Sequence, residues 1–136
     1  DTVKGNIKLH NYRFPAQTER RGIVQIIHAY GDHMGMYPHI ARKFAKAGYD
    51  VVGLDSEDLA ARKDGPVLSR TPTSWLKTAP FSEEVDRIYG GVGVPHFLFG
   101  HSLGGAISCL MSSWYPGRYR SMALVEPYLE LNDPKL

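Results

Sequence analysis

The sequence predicts an α/β fold, a mostly parallel sheet with helices on both faces. Short apolar runs that read as strands alternate with stretches of helical period along the chain. Around Ser102, one such run passes straight into a helix through a glycine-flanked turn. Alternation of this kind makes the strands parallel, because a crossover helix returns the chain to the same end of the sheet.

Taken in order, Ile7 to Phe14 (IKLHNYRF) alternates and predicts one strand. Gly22 to His28 (GIVQIIH) predicts a buried strand centred on Ile23–Ile27. Tyr37–Ala47 predicts a helix. It pairs Ile40 with Phe44 at i, i+4, carries Lys43 and Lys46 in its last turns and ends at Gly48. Asp50–Leu54 predicts the next strand. Residues Ser56–Pro80 are polar and broken by Pro66, Pro72 and Pro80, so they predict a long irregular segment around a short helix. Ser82 is placed to cap a helix over Glu83–Tyr89, with Glu83 and Glu84 at its positive end.

After Pro95, His96–Phe99 (HFLF) predicts a short buried strand. Leu103, Ala106, Ile107, Leu110, Met111 and Trp114 then recur at helical spacing, and Pro116-Gly117 stops that helix. Cys109 falls on the face expected to be buried and reads as a small core residue. Met122–Val125 (MALV) predicts the last strand. No internal repeat or low-complexity tract is present.

Composition bounds the function. One domain is expected for 136 residues, and 43% hydrophobic residues can build a core. A net charge of +2 without a basic block argues against nucleic-acid binding. The single cysteine forbids an internal disulfide. No signal peptide or spanning segment is present in this stretch, which points to a cytoplasmic or peripheral-membrane location. The absence of an initiator Met suggests a processed, excised or incompletely sequenced product.

The chemistry concentrates in Gly100-His101-Ser102-Leu103-Gly104. G-x-S-x-G is weak as a bare pattern, but strand, turn and helix surround it here as a nucleophile elbow requires. A serine on such an elbow is held in a strained conformation, and side chains two residues either side would collide. Gly100 and Gly104 remove them. The helix N-terminus points backbone N–H groups at the serine oxygen, which suits an oxyanion. His28 and His33 follow the Ile23–Ile27 strand without a Cys or carboxylate cluster. They read as residues that orient their loop by hydrogen bonds rather than as metal ligands, so no metal and no cofactor is expected.

Gly22–Asp55, Pro95–Gly105 (PHFLFGHSLGG) and Pro116–Val125 (PGRYRSMALV) together resemble the monoacylglycerol lipase and lysophospholipase family of α/β-hydrolases, grouped with the S33 serine aminopeptidases. The resemblance covers nearly the whole chain but only the N-terminal part of a family member. It implies an incomplete α/β-hydrolase fold, with residues 1–136 forming one portion of a single domain. It makes Ser102 the nucleophile and the backbone N–H groups of Tyr30 and Leu103 the oxyanion hole. It implies an acyl-ester lipid substrate, and peripheral membrane contact through a lid absent from this stretch.

The chain departs from the family in three places. Ala29 stands where the family has glycine after His28. Residues Ser56–Asp64 (SEDLAARKD) lack the family's glycine-rich run. The lid, the catalytic acid and the catalytic histidine would all follow Leu136. All six histidines precede Ser102 (His10, His28, His33, His39, His96 and His101), whereas the family order places the base after the nucleophile. Asp133, beside Asn132 and Pro134, reads as a turn residue rather than a triad acid. The expectation is a serine hydrolase portion that lacks its base, with an exposed sheet edge and a tendency to self-associate. An inactive acyl-binding pseudoenzyme and a hydrolase completed by another chain remain open alternatives.

Overall fold

The computed structural model describes residues 2–4, 7–9, 11–29, 32–55, 75–91 and 93–128. Two short strands, β1 (Thr2–Lys4) and β2 (Ile7–Leu9), pair antiparallel in a sheet of their own. The main sheet has five strands: β3 (Asn11–Phe14), β4 (Gly22–Ile27), β5 (Tyr49–Leu54), β6 (His96–His101) and β7 (Ser121–Val125). Their order is β3-β5-β4-β6-β7. Only β3 runs antiparallel, and the other pairings are parallel. The mostly parallel α/β sheet expected from sequence is therefore present.

The alternation over Ile7–Phe14 does not form one strand. It divides into β2 and β3, which belong to different sheets. Period-2 patterning reports which face is buried, not which partner a strand takes, so it cannot reveal that division. β1 carries a sequence signal of its own. Gly5-Asn6 separates two short runs, a two-residue hairpin spacing, and Lys4 pairs with Ile7.

Among the described residues, three α-helices cover the sheet: α1 (Pro38–Lys46), α2 (Trp75–Tyr89) and α3 (Leu103–Trp114). β4 is buried at every position because helices lie on both its faces. On one side, Val24, Ile26 and Val51 pack with Ala41 of α1. On the other, Ile27 and Leu98 pack with Ile107 and Met111 of α3, and Ile23 and Val52 pack with Val85 of α2.

The helix expected over Glu83–Tyr89 begins much earlier, at Trp75, and runs through Pro80. Proline costs a helix interior ~3 kcal/mol. Packing of Val85 and the partly buried Phe81 against Ile23 and Val52 favours the helix regardless. Ser82 is consequently not a cap. It lies inside α2, fully buried, with its hydroxyl 2.7 Å from that of Tyr119.

The α3 stripe is only half covered. Ile107 and Met111 are buried, while Leu110 and Trp114 are 42% and 43% exposed. Cys109 is half-buried rather than a core residue. β7 carries almost no cover: Met122 and Val125 are 39% and 40% exposed. The sheet thus ends at a bare apolar strand among the described residues.

Candidate active site

Ser102 is the residue on which β6 turns into α3. Its backbone lies at φ 52°, ψ −115°, outside the regions that L-residues ordinarily occupy. Such a conformation costs on the order of 1–3 kcal/mol and persists only when its surroundings enforce it. Four backbone hydrogen bonds do so. The Ser102 N–H donates to the Val125 carbonyl at 2.9 Å, and the Ser102 carbonyl accepts from Gly105, Ala106 and Tyr128 at 2.9, 3.3 and 3.0 Å. Among the described residues, the only other non-glycine residue at positive φ is Glu126 (φ 44°), directly after Val125. Both strained residues therefore meet at one junction. Nothing in the local sequence pattern singled out Glu126.

The flanking glycines occupy positions where a side chain would collide. A Cβ on Gly104 would strike the backbone carbonyls of Ile27 and His28, and one on Gly100 would lie 2.5 Å from the Gly104 carbonyl oxygen. A Cβ on Gly105 would stand 2.8 Å from that of Pro127. The first turn of α3 can therefore lie directly against the ends of β4 and β6. The Ser102 hydroxyl makes no capping bond to that turn. Leu103 opens the helix, where a backbone N–H has no intrahelical acceptor. Tyr30, the second expected donor, lies outside the described residues, as do Ser56–Asp64 and Asp133.

The loop after β4 is held from several directions. His28 is buried, with Nδ1 2.8 Å from the Ala29 carbonyl oxygen, and burial lowers its pKa below the ordinary 6.5. It orients the loop as expected. His33 contributes its backbone carbonyl, which accepts from Met36 at 3.0 Å, and its side chain makes no cap bond to that turn. Asp55, at the end of β5, accepts from the Met34 N–H at 2.7 Å and from the Tyr12 hydroxyl at 3.1 Å. Tyr37 had no role in the sequence reading. Its hydroxyl reaches Ala29, Asp32 and His101 together. The signal was hidden, because Tyr37 and His101 are far apart in the chain.

The other buried histidine belongs to the opposite end of the sheet. His96 opens β6, about 20 Å from Ser102 at strand rise. Its Nδ1 faces Asp86 at 2.7 Å and its Nε2 faces Gln25 at 3.1 Å. A crevice of about 550 Å3 opens there, lined in part by Asp86, His96, Tyr115 and Arg118. Among the described residues, no group of three His, Cys, Asp or Glu side chains is placed to hold a metal. No described helix is long and apolar enough to cross a membrane.

Comparison with known proteins agrees with this geometry. The monoacylglycerol lipase of Mycolicibacterium smegmatis is 30% identical over 137 aligned residues, which cover 95% of this chain and 46% of that protein. The human monoglyceride lipase is 27% identical, covering 82% of this chain and 37% of that protein. This chain thus spans less than half the length of the relatives it matches. The solved structure of a soluble variant of the Saccharomyces cerevisiae monoglyceride lipase superposes with a TM-score of 0.79. It covers 93% of this chain and 42% of that chain at 18% identity, a likeness of fold. The family described as serine aminopeptidase, S33, matches residues 18–135. On that match, the chain belongs to the S33 serine aminopeptidase family of α/β-hydrolases, and is related to monoacylglycerol lipases.

Proposed function

We propose that residues 1–136 carry the nucleophile and oxyanion portion of a serine hydrolase that cleaves carboxylic esters of monoacylglycerols or lysophospholipids. The observation that carries this reading is the strained backbone of Ser102 at the β6–α3 junction, with Gly104 seated against the end of β4. The relatives' names support the ester class.

In this reading, the Ser102 Oγ attacks the ester carbonyl carbon while a base removes its proton. The oxygen that becomes negative is held by the Leu103 N–H and by the Tyr30 N–H. The alcohol leaves with the proton, and water then releases the fatty acid from the serine. All six histidines precede Ser102, whereas the family order places the base after the nucleophile. His28 and His96 are in addition buried. The base and its acid are therefore proposed to lie outside residues 1–136, in the later part of the same domain. The bare β7 and the exposed Leu110 and Trp114 support that division.

The test uses a form extended beyond Leu136. Ser102→Ala is expected to abolish ester hydrolysis and labelling by a fluorophosphonate probe, while Cys109→Ala leaves both largely intact. Labelling that persists at another residue overturns the assignment.

A further inference from the structure

We propose that Tyr37 is a positioning residue that holds the loop after β4 against the nucleophile's strand by fixing His101 as its Nδ1–H tautomer. The proposal deepens the hydrolase reading, since it concerns the loop assigned there to the oxyanion.

It follows from counting hydrogens on one oxygen. A tyrosine hydroxyl has one hydrogen to give and two lone pairs to receive. The Tyr37 hydroxyl has three partners. It donates to Asp32 Oδ2 at 2.7 Å and accepts from the Ala29 N–H at 3.4 Å. The third partner, His101 Nδ1 at 3.0 Å, must then be the donor. If Nδ1 were the acceptor, the single hydrogen would turn to it, and a carboxylate oxygen would face a hydroxyl lone pair at 2.7 Å. Asp32 also lies 3.6 Å from His101 Nδ1, which favours a hydrogen there.

The placement of the three partners gives the arrangement its consequence. Ala29 and Asp32 flank Tyr30-Gly31 on either side, and the Asp32 N–H closes back on the Ala29 carbonyl at 3.1 Å. One hydroxyl therefore grips both flanks of that pair. Its third bond reaches the residue immediately before Ser102, at the end of β6. The Tyr37 ring is buried and meets the His101 ring edge-on, so the hydroxyl cannot swing away without unpacking α1's start. Burial and the bond to Asp32 both raise the phenol's pKa, which keeps the hydrogen in place at neutral pH.

Tyr37→Phe keeps the ring and deletes the joint. Long-range 15N–1H NMR of the imidazole reads the tautomer directly, and backbone hydrogen exchange reads the loop. The unaltered chain is expected to show His101 as Nδ1–H. Tyr37→Phe is expected to move it toward Nε2–H and to raise exchange at the Ala29 and Asp32 amides at least tenfold. Two variants at His101 separate the hydrogen bond from mere packing. His101→Asn keeps an N–H near the Nδ1 position and is expected to retain slow exchange, whereas His101→Leu loses it. An Nε2–H tautomer in the unaltered chain, or equal exchange in the Asn and Leu variants, overturns the proposal. None of these measurements depends on turnover, so loss of Ser102-dependent hydrolysis would refute the functional reading and leave this one standing.

Discussion

The carbonyl oxygen of Ile27 lies where any side chain on Gly104 would have to stand. The contact joins the end of β4 to the first turn of α3, and the atoms in the way are backbone atoms that no rotamer change can move.

Gly104→Ala is therefore expected to destabilise the fold. Alanine normally gains ~1 kcal/mol over glycine inside a helix. Overpacking a tight site costs ~1–3 kcal/mol or more, so the net sign reports the collision. Urea denaturation measures it. Gly91→Ala is the control, because a Cβ there meets only Val94 Cγ2 at ordinary van der Waals distance. Its effect is expected within about 0.5 kcal/mol, the range of uncrowded sites.

The purified 136-residue chain is expected to turn over neither 1-monoacylglycerols nor p-nitrophenyl esters at a useful rate. Without a base, Ser102 stays a weakly nucleophilic alcohol. Loss of a triad member removes several orders of magnitude of rate. Ser102→Ala is expected to leave the background rate unchanged. Robust Ser102-dependent hydrolysis would mean that a base lies within these residues.

Two histidines make stability depend on pH. Burial holds the pKa values of His28 and His96 below the ordinary 6.5, although Asp86 pulls His96 the other way. The unfolded chain takes up these protons near pH 6.5, and the folded chain takes them up only at lower pH. Their contribution is therefore complete above the unfolded value and is lost as pH falls from there through the folded values. Thermal melts across this window are expected to show a nearly constant Tm above about pH 7 and a decline below about 6.5. In His96→Gln the Tm is expected to start lower and decline less. An unchanged slope would remove His96 from the account.

The open side of β7 is expected to drive self-association. A bare apolar strand edge is a template for pairing. Leu110, Trp114, Met122 and Val125 add exposed apolar surface beside it. Each Å2 left uncovered forgoes ~25 cal/mol, against a net stability of ~5–15 kcal/mol. Size-exclusion chromatography is expected to show oligomers or aggregates, and Met122→Lys to shift them toward monomer. A monodisperse monomer with a sharp cooperative melt would instead mark a finished domain and favour the pseudoenzyme alternative.

The elements legible in the sequence were those whose burial is set by one local pattern. β4, β5, β6, α1 and α3 fall within two residues of expectation, since each carries its own apolar period. The strand-to-helix turn at Ser102 was legible for a similar reason: strand, glycine, serine, glycine and helix lie in one uninterrupted stretch. The misreadings came from forces that act across the chain. Packing against Ile23 and Val52 carries α2 through Pro80. Ser82 resembles a cap but bonds Tyr119. Leu110 and Trp114 fit a core stripe, yet they are 42% and 43% exposed. The Tyr37–His101 bond spans residues that no window of sequence brings together.

The hydrogen bonds that brace Ser102 also impose an order of assembly. Two of them come from Val125 and Tyr128, which are synthesised well after the serine itself. A nascent chain that has reached only the end of α3 contains the complete glycine-serine motif but not the partners that make its conformation tenable. The serine would then relax to an ordinary turn. It is locked into place only when β7 arrives, so the strained backbone is withheld from the ribosome-bound chain until the neighbouring strand has docked.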